Sequence, residues 1–148
     1  MPCPHFSITI AKRSENKSAV AGAAYQSGER LFSEYDRKIK DYTGKKEVVH
    51  SEILLPPNAP EEYRDRATLW NAVEKVENQW NSQLARRMVI AIPKEIPTDQ
   101  HARLIREYCQ EQFVSKGMCA DFAIHDKGDC NPHAHIMLTM RAIGEDGK

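Results

Sequence analysis

Apolar and polar residues alternate through His5-Phe6-Ser7-Ile8-Thr9-Ile10, the period of a half-buried strand, and the polar stretch 12–17 that follows reads as a loop. At Ser18 the pattern changes. SAVAGAAYQSGERLF is rich in alanine and other small residues, and Ser18 is a good N-cap, so the spacing predicts a helix over 18–32 that carries Tyr25. Small side chains let such a helix lie close against a sheet or a ligand. Residues 34–46 form a charged connector, and KEVVHSEILLP over 46–56 predicts a second strand, ended by Pro56 and Pro57. Pro60 suits a first helical turn, and 59–83 then reads as one or two amphipathic helices around Leu69, Trp70, Val73, Val76 and Trp80, with both tryptophans in the core. ARRMVIAIP, 85–93, is apolar enough for a central strand. Thr98 caps a helix to about Ser115, closed by Gly117. CADFAIHDKG and PHAHIMLTM are two further strands, joined by the turn-rich stretch 126–132.

The predicted order is therefore β, α, β, α, β, α, β, β. This is an α+β arrangement, a mainly antiparallel sheet with helices packed on one side. A chain of 148 residues suits one domain. Hydrophobic residues at 41% and charged residues at 28% are globular values, and no apolar run is long enough to span a membrane. Without an export signal, a cytoplasmic location is expected, with no membrane insertion, and Cys3, Cys109, Cys119 and Cys130 read as reduced thiols. The formal net charge of +0 argues against a protein held to nucleic acid by bulk charge. Charge is uneven, however: residues 1–50 hold nine Lys/Arg against six Asp/Glu, and 51–148 hold twelve against fifteen.

Three of the six histidines fall within eleven residues of the closing hairpin. His133 and His135 are two apart on a strand and so share a face, and the hairpin brings His125 opposite or diagonal to them. Three imidazoles at one point suit Mn, Zn, Co or Ni better than Mg, and leave coordination positions open for a substrate oxygen. A closed zinc site that adds Cys130 is the alternative. His50 and His101 read as solvated.

HDKGDCNPHAHIMLT, 125–139, closely resembles the metal motif of the MobA/MobL plasmid mobilisation relaxases, members of the HUH endonuclease superfamily, with Ala134 between the paired histidines. AAYQSGERL, 23–31, resembles the family's tyrosine helix, and HFSI, 5–8, its first strand. The resemblance implies a five-stranded sheet carrying a histidine triad under an early helix. Its implied activity is metal-dependent, strand-specific nicking of single-stranded DNA at an origin of transfer. On that reading Tyr25 is the nucleophile that forms a reversible 5′-phosphotyrosyl bond, and His125, His133 and His135 bind a divalent ion, Mn or Mg in function. Relaxosome accessory and coupling proteins are the implied partners, and residues 1–148 are expected to be the N-terminal catalytic part of a longer protein. Some members carry acids on the strand where Arg87 and Val89 stand here, which makes Glu74 and Glu77 candidate general bases. Arg37, Lys38 and Lys40, in the basic connector, are candidate contacts to single-stranded DNA.

The chemistry explains the residue types. A free tyrosine, with a pKa of about 10, is a poor nucleophile until helped. Two other functions remain open on the residues alone. One is a histidine-triad nucleotide hydrolase, although Met137 stands where a third alternating histidine belongs; the other is a metal-stabilised DNA-binding module without catalysis.

Overall fold

The structure is a computed structural model that describes residues 6–12, 18–34, 37–41, 48–57, 59–76, 83–92, 96–126 and 132–139. Strand β1 (Phe6–Lys12) leads to helix α1 (Ala19–Ser27), then to strands β2 (Arg30–Ser33), β3 (Lys38–Asp41) and β4 (Val48–Leu54). Helix α2 (Arg66–Val76), strand β5 (Gln83–Ala91), helix α3 (His101–Gln112) and the strands β6 (Ala120–His125) and β7 (His133–Leu138) complete the order. Five strands form an antiparallel sheet in the order β1-β5-β7-β6-β4, and β2 and β3 form a separate two-stranded ribbon.

Local chemistry sets the bounds of α1. The Ser18 hydroxyl accepts from the Ala21 N–H at 3.1 Å, and Gly28, at φ 70°, ends the helix in the left-handed region with its N–H on the Ala24 carbonyl. The helix expected over 18–32 thus stops at Ser27. Past the glycine the chain alternates exposed and buried through Arg30–Ser33, and pairs with Lys38–Asp41 where a connector was expected.

Sheet alternation places the core on both faces. Ala134, Ile136 and Leu138 of β7, with Phe122 and Ile124 of β6, pack with Ile105 and Cys109 of α3. Met137 of β7 packs instead with Ala19, Val20, Ala23 and Ala24 of α1 and with Leu69 and Trp70 of α2. Neighbouring residues of a strand point to opposite faces, so α1 and α2 cover one face and α3 the other. The expectation of helices on one side is corrected accordingly. β6 is buried at every position, which a sheet covered on both faces requires.

Polar ties fix the layers. On the α3 face, Arg106 donates to both carboxylate oxygens of Glu52 at 2.9 and 2.8 Å, and His50 bonds Glu52 at 2.7 Å. Burial opposes the Glu52 charge, but Arg106 and His50 hold its carboxyl below the usual range. Neither histidine expected in solvent is simply solvated. His50 is half-buried against Phe122, and His101 is buried with its ring on the Ile96 carbonyl at 3.0 Å. Trp70 is fully buried, as its core assignment requires, whereas Trp80 lies outside the described residues. Cys109 and Cys119 are buried thiols pushed up to about 12 by desolvation, and are therefore not reactive thiolates. Cys3 and Cys130 lie outside the described residues.

Candidate active site

Register brings the three histidines together. His133 stands directly opposite His125 across β6 and β7, and His135 opposite Ala123, so all three lie on the face covered by α1. The rings of His125 and His135 stack with centroids 4.0 Å apart at 24°.

The C-terminal end of α1 lies on this group. His125 Nε2 is 2.6 Å from the Gln26 carbonyl, and since a carbonyl only accepts, Nε2 carries the proton in this contact. The Gln26 side chain, itself buried, donates from Nε2 to the Asp121 carbonyl at 2.7 Å. Gln26 thus joins α1 to β6 at two points, beside Tyr25. Tyr25 is 42% exposed, so it is not the core tyrosine that an alanine-rich helix suggests. Gly22, one helical turn earlier on the same side, lies over Met137: a Cβ there would meet Met137 Cε at 3.5 Å.

Beneath this end of the helix sits a buried ion pair. Asp121 Oδ2 accepts from Arg66 Nε and from Trp70 Nε1, each at 2.8 Å, and Arg66 also pairs with Glu29 just past α1. Burial drives the Asp121 carboxyl above the usual carboxylate range, against the pull of Arg66 and Trp70. Burial also disfavours the Arg66 charge, but Asp121 and Glu29 outweigh it and hold the guanidinium charged. Asp121 Oδ1 is buried with no hydrogen-bond partner among the described residues. The charge of Asp121 therefore depends on what reaches Oδ2. Gln26, Arg66 and Asp121 were not singled out by sequence; the one available signal was a buried-face glutamine next to the tyrosine.

The candidate bases fare differently. Glu74 is buried at the opposite end of α1, where Oε1 accepts from the Ser18 hydroxyl at 2.9 Å and from the Ala19 and Val20 N–H groups at 2.8 and 3.4 Å. Tyr25 is six residues further on, roughly 9 Å along the helix axis. This carboxylate caps α1 and complements the positive end of its dipole. Glu77 lies outside the described residues. Glu74→Ala should accordingly cost about 1–2 kcal/mol of stability through the lost cap. Urea denaturation checks this, and an unchanged midpoint would remove Glu74 from the capping role.

Of the basic candidates, Arg37 is exposed at the turn between β2 and β3 with φ 56°, Lys38 pairs in register with Ser33, and Lys40 is half-buried opposite Leu31. The ribbon packs against α1, which places these residues near the tyrosine helix rather than on the histidine strands.

Among the described residues no group of three or more His, Cys, Asp or Glu side chains is already arranged to hold an ion. The donor set nevertheless suits one. Three imidazoles share a face, and a ring N–H given to a backbone carbonyl, as in His125, is the contact that fixes the tautomer of a metal-ligating histidine.

Fold and site together define an α+β protein with a histidine hairpin in an antiparallel sheet, crossed by a helix that presents an exposed tyrosine. The family model described as the MobA/MobL family matches residues 17–148, and the chain belongs to that family. It is 37% identical over 157 residues to conjugal transfer protein TraA of Agrobacterium fabrum, an alignment covering 99% of this chain and 14% of that protein. It is 34% identical over 168 residues to mobilization protein MobL of Acidithiobacillus ferridurans, covering 97% of this chain and 44% of the relative. A solved structure from "Molecular Basis of Vancomycin Resistance Transfer in Staphylococcus aureus" superposes with a TM-score of 0.93 at 35% identity, over 99% of this chain and 75% of the other. The chain therefore spans only part of the length of these curated relatives. Among the described residues no helix is long and apolar enough to cross a membrane.

Proposed function

We propose that this chain nicks one DNA strand at an origin of plasmid transfer by transesterification from Tyr25. The observation that carries the reading is the contact of the Gln26 carbonyl with His125, which sets the helix bearing an exposed tyrosine on the histidine hairpin. Membership of a family whose relatives are named as conjugal transfer and mobilisation proteins supports it.

In the reaction the Tyr25 hydroxyl oxygen forms a bond to the scissile phosphorus, and the bond from phosphorus to the 3′ oxygen breaks. The phenol gives up its proton, the departing 3′ oxygen gains one, and nothing is oxidised or reduced. One phosphodiester is exchanged for another, so the free 3′ hydroxyl can attack the tyrosyl ester and reseal the strand. His125, His133 and His135 would hold a divalent ion, Mn or Mg. When bound, that ion supplies positive charge to the non-bridging oxygens of the scissile phosphate. Gln26 fixes the helix end over the buried His125, and the half-buried His133 and His135 leave the face accessible to a single strand. The proton acceptor is a group other than Glu74, whose carboxylate caps the far end of α1.

The test of function is a protein–DNA adduct that survives denaturation, recovered from a randomised single-stranded library and mapped to Tyr25. No adduct with any sequence would sink the reading. For the ion, His133→Ala/His135→Ala should weaken Mn binding by calorimetry at least tenfold while leaving the circular dichroism spectrum unchanged. Equal affinity in that variant would remove the two histidines as ligands.

A further inference from the structure

From the register of the sheet we infer that Arg87 binds a backbone phosphate of the substrate strand, next to the phosphate held at the histidines; this rests on the nicking reading above. Arg87 stands opposite Met137, and Val89 opposite His135, in the pairing of β5 with β7. Arg87 is therefore on the histidine face, diagonal to His135 and within reach of a long side chain. Across the next pairing Thr9 of β1 stands opposite Arg87, and its side chain is exposed. The histidine pair, Arg87 and Thr9 thus form an oblique path across three strands, leading out from under α1 to the β1 edge.

The path is open because of what covers its neighbours. On one side of Met137, Asp121 is sealed beneath α2 by Arg66 and Trp70. Above Met137 lies Gly22, which adds no side chain. On the other side Arg87 is half-buried and makes no hydrogen bond or ion pair with another described residue. A half-buried guanidinium without a carboxylate is costly, and its planar fork of donors matches two oxygens of a phosphate. A chain with a formal net charge of +0 has to bind DNA through a few placed cations rather than through a general field. Removing one of a few contacts should be measurable.

The neighbouring residue supplies the control. Arg86 is opposite Leu138, and so points to the α3 face although it has the same charge and is also half-buried. Binding of a fluorescein-labelled mixed-sequence single-stranded oligonucleotide is measured by anisotropy between 25 and about 200 mM salt, a range over which phosphate contacts weaken strongly. Arg87→Gln should bind roughly tenfold more weakly at the lowest salt, and the slope of log K against log salt should fall in magnitude by about 0.7, one single-strand phosphate contact. Arg86→Gln should keep the parent slope, and Arg87→Lys should keep most of it. Matching melting temperatures show that the folds are comparable. If the parent binds with a salt-dependent slope and Arg87→Gln shares that slope, the phosphate contact is overturned while the nicking reading stands. Equal losses in Arg86→Gln and Arg87→Gln overturn it as well, because bulk charge then explains both. If the parent does not bind single strands at all, the nicking reading fails and takes the Arg87 contact with it.

Discussion

On the transesterification proposal, Tyr25→Phe should abolish the covalent protein–DNA adduct and leave DNA binding within about twofold of the parent, since the ring is kept and only the hydroxyl is removed. The effect should be the largest of any single substitution. A nucleophile that forms the intermediate has no substitute on the same helix face, and losses of at least roughly a thousandfold are usual for removal of such a group. The phenylalanine ring keeps the packing of Tyr25 at the end of α1, and the anchoring of Gln26 to Asp121 and His125 does not involve the hydroxyl. Folding and metal binding should thus be unchanged. The measurement is adduct yield on denaturing gels, in parallel with anisotropy for binding. Cleavage at the parent rate with release of a free 5′ phosphate would make water the nucleophile and end the transesterification proposal.

Arg66→Met should destabilise the fold by about 3–5 kcal/mol, because it leaves Asp121 fully buried with one of its two Oδ2 donors gone. That is a large share of the roughly 5–15 kcal/mol that holds a domain together. The pH dependence has a definite sign. Burial already raises the folded Asp121 carboxyl above its unfolded value, so its contribution is fully present below the unfolded pKa and is lost as pH rises through the folded one. Loss of Arg66 raises the folded value further, so the deficit of Arg66→Met should be smaller at pH 4 than at pH 7. Urea denaturation at both pH values measures this. A deficit that is constant with pH, or larger at pH 4, would show that Asp121 does not carry the effect. Arg66→Met/Asp121→Leu, which removes both charges, should recover much of the loss. The consequence extends to the site, because Arg66 also holds Glu29, immediately after the turn that ends α1.

The closing hairpin was the most legible part of the molecule. Its period of two placed His133 and His135 on one face, and the observed pairing of His125 with His133 agrees with the turn-joined strands expected there. α3 was legible in kind but not in its bounds: it runs His101–Gln112, Thr98 opens a short 3-10 turn before it rather than capping it, and Gly117, at φ 95°, ends a second 3-10 turn, Val114–Lys116, that follows it. The ribbon β2–β3 was not. Its strands are four residues each, and the apolar Leu31 and Phe32 follow the helix so closely that they read as its last turn until Gly28 is seen to reverse the chain. Glu74, a candidate general base from its place before the third expected strand, instead caps a helix that begins 55 residues earlier, a contact that only the tertiary structure shows.

By itself the sequence determined what short-range periodicity and residue chemistry carry: the elements that bear Tyr25 and the three histidines, the shared face of the histidine pair, and the family. Tertiary structure alone decided which face each helix covers, how α1 is anchored over His125 by Gln26, and that Arg87 lies on the histidine face while Arg86 lies on the other. The reason is physical. Alternation along a strand says which residues face together, but only pairing between strands distant in sequence says what they face, and a sheet buried on both sides erases the polar alternation that would have marked its outer face.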